Sequence, residues 1–335
     1  SVRATRNPLT CIPPLAMNSK KPIEKPPETE VTLALEDLAG WKREGCSLAV
    51  LGNPIGHSIS PLVHNAALSE MTVTCSKFAD WRYFRFEIPS ERLQASLAVF
   101  ATCGFRGLNL TIPHKVEALD FIDSIDSEAS AMGAVNTLVF RDNGKCDGFN
   151  TDGHGLERAL EEDFGLALKG ASVVLLGAGG AARAAATRFL ASGCSELWIG
   201  NRSRKRLEHL LEVLAPKEEQ RLEAFALDHV PPDLPHGEGV LVVNATSLGL
   251  DPDDESPFDL SRFANGAIVY DMIYNPAETA FLRSARALGM RTANGLSMLV
   301  HQAARSLEIW TDAEVPRSTM FVAARKALKD KLETS

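Results

Sequence analysis

No apolar run in this sequence approaches the roughly 20 residues of a membrane-spanning helix, so no such helix is expected. The first residues also lack the sustained apolar core of a secretory signal. Cysteine is sparse: Cys11, Cys46, Cys75, Cys103, Cys146 and Cys194 lie far apart, with no C-x-x-C pair. That spacing suggests neither a zinc site nor a disulfide framework, and each thiol reads as a small buried or half-buried apolar side chain. A reducing cytoplasm fits such usage best. Positive charge is in deficit, with 35 Lys and Arg against 43 Asp and Glu and a formal net charge of −8. This argues against a basic surface of any size, and so against a nucleic-acid or anionic-membrane partner.

What is present is ordinary globular composition, 45% hydrophobic and 23% charged, over 335 residues, a length that predicts two domains. Residues 1 to about 28 carry Pro8, Pro13, Pro14, Pro22, Pro26 and Pro27 with little periodic apolar content, and read as a disordered tail. A short amphipathic segment follows at 33–41. Strand signals then appear at 47–52, 84–88, 107–111 and 137–141, and helical patterns at 62–71, 91–102 and 115–121. In the second half, apolar runs at 172–176, 196–199, 240–243 and 267–271 predict further strands. Helices are expected to Leu190, from Leu296 through Trp310, and from Ser318 to about Leu332. Strands separated by helical patterns imply βαβ units and mostly parallel sheets, an α/β fold.

The run at 172–176 leads directly into Gly177, Ala178, Gly179, Gly180, Ala181 and Ala182, and then into an Ala-rich helix. This fits G-x-G-x-x-G/A in its confirming context, a strand before and a helix after. Gly177 permits the tight turn, Gly179 lets the backbone approach a pyrophosphate, and Ala182 allows helix and strand to pack closely. The next strand ends in Gly200, Asn201, Arg202, Ser203, Arg204, Lys205 and Arg206, without the acid that would hold an NAD ribose. Guanidinium forks match phosphate oxygens, so Asn201 and Arg202 favour NADP.

Three polar clusters lie where strands give way to loops in the first half. Pro61 suits the first turn of a helix and Ser60 its N-cap. Ser58 and Ser60 therefore read equally as capping residues or as a carboxylate receptor beside a helix N-terminus. Lys115, just past a strand and Pro113, reads as a surface charge or as a ligand-facing lysine at a strand's C-terminal end. Asn136 and Asp152 bring an amide and a carboxylate into loops, and Asp152 could equally cap a helix beginning near Gly155.

Taken in order, GNPIGHSISP, NLTIPHK, GAVNT, FNTDG, GAGGAAR, NRS, NATSLG, DMIYNP and NGLSMLVHQA resemble the shikimate dehydrogenase family over about residues 47 to 310. The resemblance implies an N-terminal, mostly parallel α/β substrate domain plus a Rossmann-type doubly wound NADP domain. It puts the first at 29–150, completed by helices at about 300–332, and the second at 151–299. It implies an NADP-dependent oxidoreductase acting on a CH–OH group, interconverting 3-dehydroshikimate and shikimate in chorismate and aromatic amino acid biosynthesis. Lys115 and Asp152 would be catalytic. Ser58 and Ser60 would bind the substrate carboxylate, Asn136 and Asp152 ring hydroxyls, and Thr111, Tyr274 and Gln302 would complete the substrate site. The cofactor site would comprise Gly177, Ala178, Gly179, Gly180, Ala181, Asn201, Arg202, Ser203, Arg206, Thr246, Met272, Gly295 and Met298, with no metal. The partner is a small molecule, and the chain a monomer or homodimer. His57, His114 and His301 sit in motifs without a chemical role in the family. Ser297 departs from a frequent glycine and leaves local cofactor packing open, and Ala181 replaces a frequent polar residue. A quinate/shikimate dehydrogenase with broader substrate or NAD use is the nearest alternative, and a non-catalytic NADP(H) sensor a more distant one.

Overall fold

A computed structural model describes residues 31–263 and 266–334, so the tail expected at 1–28 and Cys11 lie outside the described residues. The chain divides into two compact units. One comprises the described residues up to Thr151 and from Ala303 onward; the other is Asp152–Gln302.

In the first unit, β1 (Thr32–Leu33), β2 (Ser47–Gly52), β3 (Arg82–Glu87), β4 (Phe105–Leu110), β5 (Ser124–Ile125), β6 (Thr137–Phe140) and β7 (Cys146–Phe149) form one sheet. Its order is β1-β3-β2-β4-β6-β7-β5. Neighbours run parallel except β4–β6 and β6–β7, so the mostly parallel sheet expected from the sequence is what forms. All six residues of β2 are buried, as a continuous apolar run covered on both faces should be. The helices are α1 (Ser60–Thr74), α2 (Leu93–Thr102), the single turn α3 (His114–Glu117) and α4 (Ser127–Met132). A core of interlocked rings joins β3, α2 and β4: Phe86 meets Phe100 at 4.9 Å and Phe100 meets Phe105 at 4.8 Å, both edge to face.

The segment at 33–41 is not one amphipathic element. Thr32–Leu33 pairs with β3, and a 3-10 turn then buries Leu35 and Leu38. Strand β3 begins two residues before the apolar pattern, because Ser47 of β2 pairs with Arg82. Strands β5 and β7 and helix α4 gave no clear signal: they are short, and β7 carries Asp147 and Gly148.

The second unit holds α5 (Asp152–Phe164), β8 (Ser172–Leu176), α6 (Gly180–Ala191), β9 (Glu196–Asn201), α7 (Arg204–Val213), β10 (Arg221–Ala226), β11 (Leu241–Asn244), β12 (Ile268–Asp271), α8 (Ala280–Ala287) and β13 (Arg291–Asn294). Its sheet runs β10-β9-β8-β11-β12-β13 with every pairing parallel. The chain winds outward from β8 on one side, then returns to β11 on the other. That doubly wound order leaves its switch point between β8 and β11, where such sheets accept ligands. Edge strands β10 and β13 are mostly half-exposed and interrupt their apolar residues with polar ones, which is why no apolar run announced them. Helix α9 (Leu296–Thr311) begins in this unit and ends in the first, where α10 (Arg317–Thr334) packs against α1. Among the described residues no helix is long and apolar enough to cross a membrane.

Within the first unit, Trp310 of α9 seats against β4 where Gly107 has no side chain, its Nε1 donating to Leu138 O at 2.9 Å. A Cβ on Gly107 would stand 2.0 Å from Trp310 Nε1 and 2.4 Å from Leu138 O. Gly107→Ala is expected to cost about 1–3 kcal/mol as overpacking, seen as a lower urea midpoint. An unchanged midpoint would show that the indole relocates without penalty.

Candidate functional site

In the first unit the expected polar residues gather at one end of the sheet. Backbone bonds tie the ends together: Thr111 N donates to Leu51 O at 2.9 Å, Asn53 N to Ile112 O at 3.1 Å, and Leu110 N to Asn136 O at 2.9 Å. Lys115 joins them through its carbonyl, which accepts from Val135 N at 2.8 Å. Gly52 must be bare here, since a Cβ would lie 2.5 Å from Thr111 Cγ2. Ser58, Ser60, Thr111, Lys115 and Asn136 are thus brought together by strand ends that the sequence separates widely.

The loop after β2 is held by β3. Arg85 Nη1 donates to Ser58 O at 2.8 Å, and Glu87 Oε2 accepts from Ile55 N at 3.3 Å. The capping role considered for Ser60 is not what forms. Helix α1 starts at Ser60 itself, Ile59 occupies the cap position, and no side chain caps the helix. Ser58 Oγ instead accepts from Ser60 N at 3.3 Å and lies 3.1 Å from Ser60 Oγ, so two hydroxyls sit side by side at the helix start. Likewise α5 begins at Asp152, not near Gly155, and the half-buried Asp152 is its first residue. Thr151, the residue before it, donates its backbone N–H to Asn136 Oδ1 at 2.9 Å.

His114 proves structural. It is fully buried, with Nε2 2.8 Å from Ile88 O and Nδ1 3.1 Å from Glu117 Oε2, and it anchors the turn that carries Lys115. His301 contacts Glu162 at 2.7 Å, between α9 and α5. Its neighbour Ser297 donates to Asp163 Oδ2 at 2.5 Å, so the departure from glycine serves the packing of the same two helices. The described cysteines are free thiols, and burial pushes Cys46 and Cys194 up to about 11 and Cys146 to about 12.

In the second unit, Gly177 adopts φ +118, a conformation that disfavours any side chain, and a Cβ would meet Ala245 O at 2.9 Å. Gly179 precedes the first turn of α6, and apart from adjoining stretches of the chain no atom lies within 4 Å of where a Cβ on Gly179 or Gly180 would be. That open space before a helix N-terminus is what a pyrophosphate requires. Ala178 is half-buried, Ala181 faces solvent, and Ala182 is buried against the sheet. At the end of β9, Asn201 Nδ2 donates to Ser203 O at 3.1 Å, and Ser203 Oγ caps α7 by accepting from Arg206 N at 3.4 Å. Arg202, Arg204, Lys205 and Arg206 are exposed on this turn. These residues fit a dinucleotide bearing an extra phosphate.

The strongest feature missed in the sequence is a buried pair at the ends of β11 and β12. Asn244 Nδ2 donates to Asp271 Oδ1 at 3.0 Å, while Asn244 Oδ1 accepts from Thr246 N and Oγ1 at 3.0 and 2.7 Å. Asp271, completely buried, also accepts from Ile273 N at 3.0 Å and Thr279 Oγ1 at 2.6 Å. Burial pushes its carboxyl up, and these three bonds only partly offset that. Thr246 and Met272 are therefore set by groups below them, Met272 N donating to Asn244 O at 3.0 Å. The signal was a polar residue closing each buried run, VVN and VYD. Gly295 is bare because a Cβ would fall 2.1 Å from Met272 O. Met298 packs partly buried against this unit's core, and Gln302 Nε2 donates to Leu299 O at 3.0 Å. Tyr274 is half-buried, and burial pushes its phenol up. Among the described residues no group of three or more His, Cys, Asp or Glu could hold a metal ion.

Comparison with known proteins gives three family-model matches. They are a shikimate dehydrogenase substrate binding domain at residues 50–138, shikimate / quinate 5-dehydrogenase at 158–246, and a shikimate 5'-dehydrogenase C-terminal domain at 295–320. A shikimate dehydrogenase (NADP(+)) of Symbiobacterium thermophilum is 41% identical over 288 residues, 85% of this chain and 95% of that protein. One from Methanopyrus kandleri is 37% identical over 284 residues, 84% of this chain and 96% of the relative. The crystal structure of shikimate 5-dehydrogenase from Thermus thermophilus in complex with NADP(H) and shikimate superposes with a TM-score of 0.73. It is 37% identical and covers 84% of this chain and all of that one.

Proposed function

This chain belongs to the shikimate dehydrogenase family, and on that premise we propose that it reduces 3-dehydroshikimate reversibly to shikimate with NADPH. The observation that carries this is the pairing of two kinds of strand end in one chain. One presents Ser58, Ser60, Thr111, Lys115 and Asn136; the other presents an open glycine turn beside a cationic turn.

Bound NADPH supplies the hydride. The chain's own residues bind, orient and handle the proton. The paired hydroxyls of Ser58 and Ser60 receive the substrate carboxylate at the start of α1, where the helix N-terminus adds positive potential. Asn136 engages a ring hydroxyl, and Asp152 accepts a hydrogen bond from another. Thr111, Tyr274 and Gln302 complete the substrate contacts. Lys115 stabilises negative charge developing on the carbonyl oxygen and delivers a proton to it. Gly177 to Ala181 cradle the pyrophosphate, Asn201, Arg202, Ser203 and Arg206 hold the ribose phosphate, and Thr246, Met272, Gly295 and Met298 position the nicotinamide end. The free thiols support a reducing compartment, and we place the protein in the cytoplasm as a monomer or homodimer.

A four-way assay tests this: shikimate and quinate, each with NADP and NAD, followed through reduced nicotinamide. Turnover confined to shikimate with NADP is expected. Equal turnover of quinate, or preference for NAD, would replace this reading with the broader quinate/shikimate activity. NADP binding without any turnover would point to a sensor.

Cofactor choice has its own check. A guanidinium–phosphate bond contributes about 1.5–3 kcal/mol, so Arg202→Leu should raise KM for NADP by roughly 10- to 150-fold and leave KM for NAD unchanged. An unaltered NADP/NAD ratio in steady-state kinetics would move phosphate recognition away from this turn.

A further inference from the structure

A second polar cleft lies at the end of the first sheet opposite Ser58, Thr111 and Lys115. Strands β2 and β4 begin beside this cleft and end at the loops that carry those residues, so the two places are roughly 17 Å apart. The cleft measures about 460 Å³, a size that takes small organic molecules. Its charged lining is Arg106, Arg141 and Lys145 against one acid, Asp142. That is a local surplus of positive charge on a chain whose net charge is −8.

Each cation is brought there by a defined backbone feature. Ser47 pairs with Phe105 and Leu48 with Gly107, so Arg106 is the extra residue of a β-bulge, an irregularity that re-aims a side chain. Arg106 is half-buried, yet its guanidinium makes no hydrogen bond and no ion pair among the described residues. The Cys46 thiol feels its charge, but burial pushes that thiol up to about 11, so it stays neutral and is no counterion. Arg141 and Lys145 close the hairpin between β6 and β7. Arg141 N donates to Lys145 O at 2.8 Å, and Gly144, at φ +77, donates its N–H to Arg141 O at 2.9 Å. Two like charges are thereby fixed opposite one another, an arrangement that costs stability in a β pair. Of the three cations only Arg141 has an ion pair among the described residues. Its Nε donates to Asp147 Oδ2 at 2.7 Å, which leaves its two terminal nitrogens uncommitted.

We propose that this cleft is a second binding site, for a small organic dianion: a phosphate ester or a dicarboxylate. The shared chemistry is two negative charges carried on oxygen. Such a ligand supplies the counter-charge that Arg106 and Lys145 lack, and its oxygens match the guanidinium forks of Arg106 and Arg141. A monoanion leaves one of the cations uncompensated. The site stands apart from the residues assigned to substrate and cofactor, so it does not depend on the activity proposed above.

Thermal unfolding of the full chain tests this, with NADP saturating throughout so that the cationic turn after β9 is occupied. Inorganic phosphate and succinate are each compared with acetate at equal ionic strength, in wild type, Arg106→Met and Lys145→Met. At least one dianion should raise the wild-type midpoint by about 3 °C or more over acetate, as a ligand bound to the native state alone does near saturation. A response to phosphate alone assigns a phosphoryl group, and a response to succinate alone a dicarboxylate. Both variants should lose most of the shift. Neither should be less stable than wild type in acetate, because each substitution removes a repelling charge and keeps an apolar stem. No dianion response in wild type, or a shift that survives intact in both variants, would overturn the site. So would an Arg106→Met chain destabilised in acetate beside a Lys145→Met chain with the full shift, the mark of a purely structural arginine.

Discussion

Lys115→Met is expected to reduce turnover by roughly 10²- to 10⁴-fold while KM for shikimate changes little, the range that a positioned proton donor contributes. The substitution keeps the length and apolar stem of the side chain and removes the ammonium. Its backbone should not move, because Val135 N still reaches the carbonyl of residue 115 and His114 remains locked between Ile88 O and Glu117. In the proposed site the carboxylate and hydroxyl contacts fall to Ser58, Ser60 and Asn136, so ground-state binding should survive. Only the charge forming on the reacting oxygen loses its partner, and an interaction specific to the transition state lowers kcat and kcat/KM together. Steady-state kinetics with saturating NADPH decides it. Near-normal kcat would remove Lys115 from the chemistry.

The second large effect concerns stability. Asp271→Ala leaves Asn244 Nδ2, Ile273 N and Thr279 Oγ1 without their acceptor in a fully buried place. An unsatisfied buried polar group costs about 1–3 kcal/mol, so a loss of roughly 3 kcal/mol or more is expected after relaxation. Asp271→Asn should be far milder. Its oxygen can keep Asn244 and Ile273, and the Thr279 hydroxyl can turn to accept from the new amide nitrogen.

The two variants also separate hydrogen bonding from charge. Burial raises the Asp271 carboxyl, so the folded chain holds that proton more tightly than the unfolded chain does. Between the ordinary carboxylate value near 4 and the raised folded value, the native state binds more protons, and stability falls as pH rises. The contribution is therefore favourable at low pH and lost above the folded value. Asp271→Asn removes that slope, so its stability relative to wild type should be greater at pH 7 than at pH 4 in urea unfolding. An equal difference at both pH values would show that Asp271 is protonated throughout or titrates normally.

The sequence carried a good deal of this protein by itself. Apolar runs at β2, β8 and β12 marked strands, and the continuous run at β8 marked a central one, since a strand covered on both faces has no polar alternation to lose. The run from β8 into Gly177, Gly179 and α6 was legible because a single local turn imposes it: φ +118 at Gly177 is a demand on one residue. The cations after Asn201 were legible for the same reason, being contiguous. The ordered motifs added the family, and by that resemblance the roles proposed for Lys115, Asp152 and the residues around them.

What local pattern could not decide is whatever depends on partners distant in the chain. Ser60 reads equally as a helix cap or a carboxylate receptor until Ile59 is seen in the cap position, and Asp152 opens α5 just after Thr151, whose N–H reaches Asn136 fifteen residues back. The edge strands β10 and β13 lacked signal because a half-exposed edge gains its order from the neighbour it pairs with. Ser306, Asn109 and Thr137 were ordinary polar residues until folding placed them within 3.1 Å of one another, and Asn244 and Asp271 likewise. A buried polar group must find a partner, but the sequence states only the need. Tertiary structure chooses the partner, because a hydrogen bond requires two atoms at one distance and direction, and chain separation encodes neither.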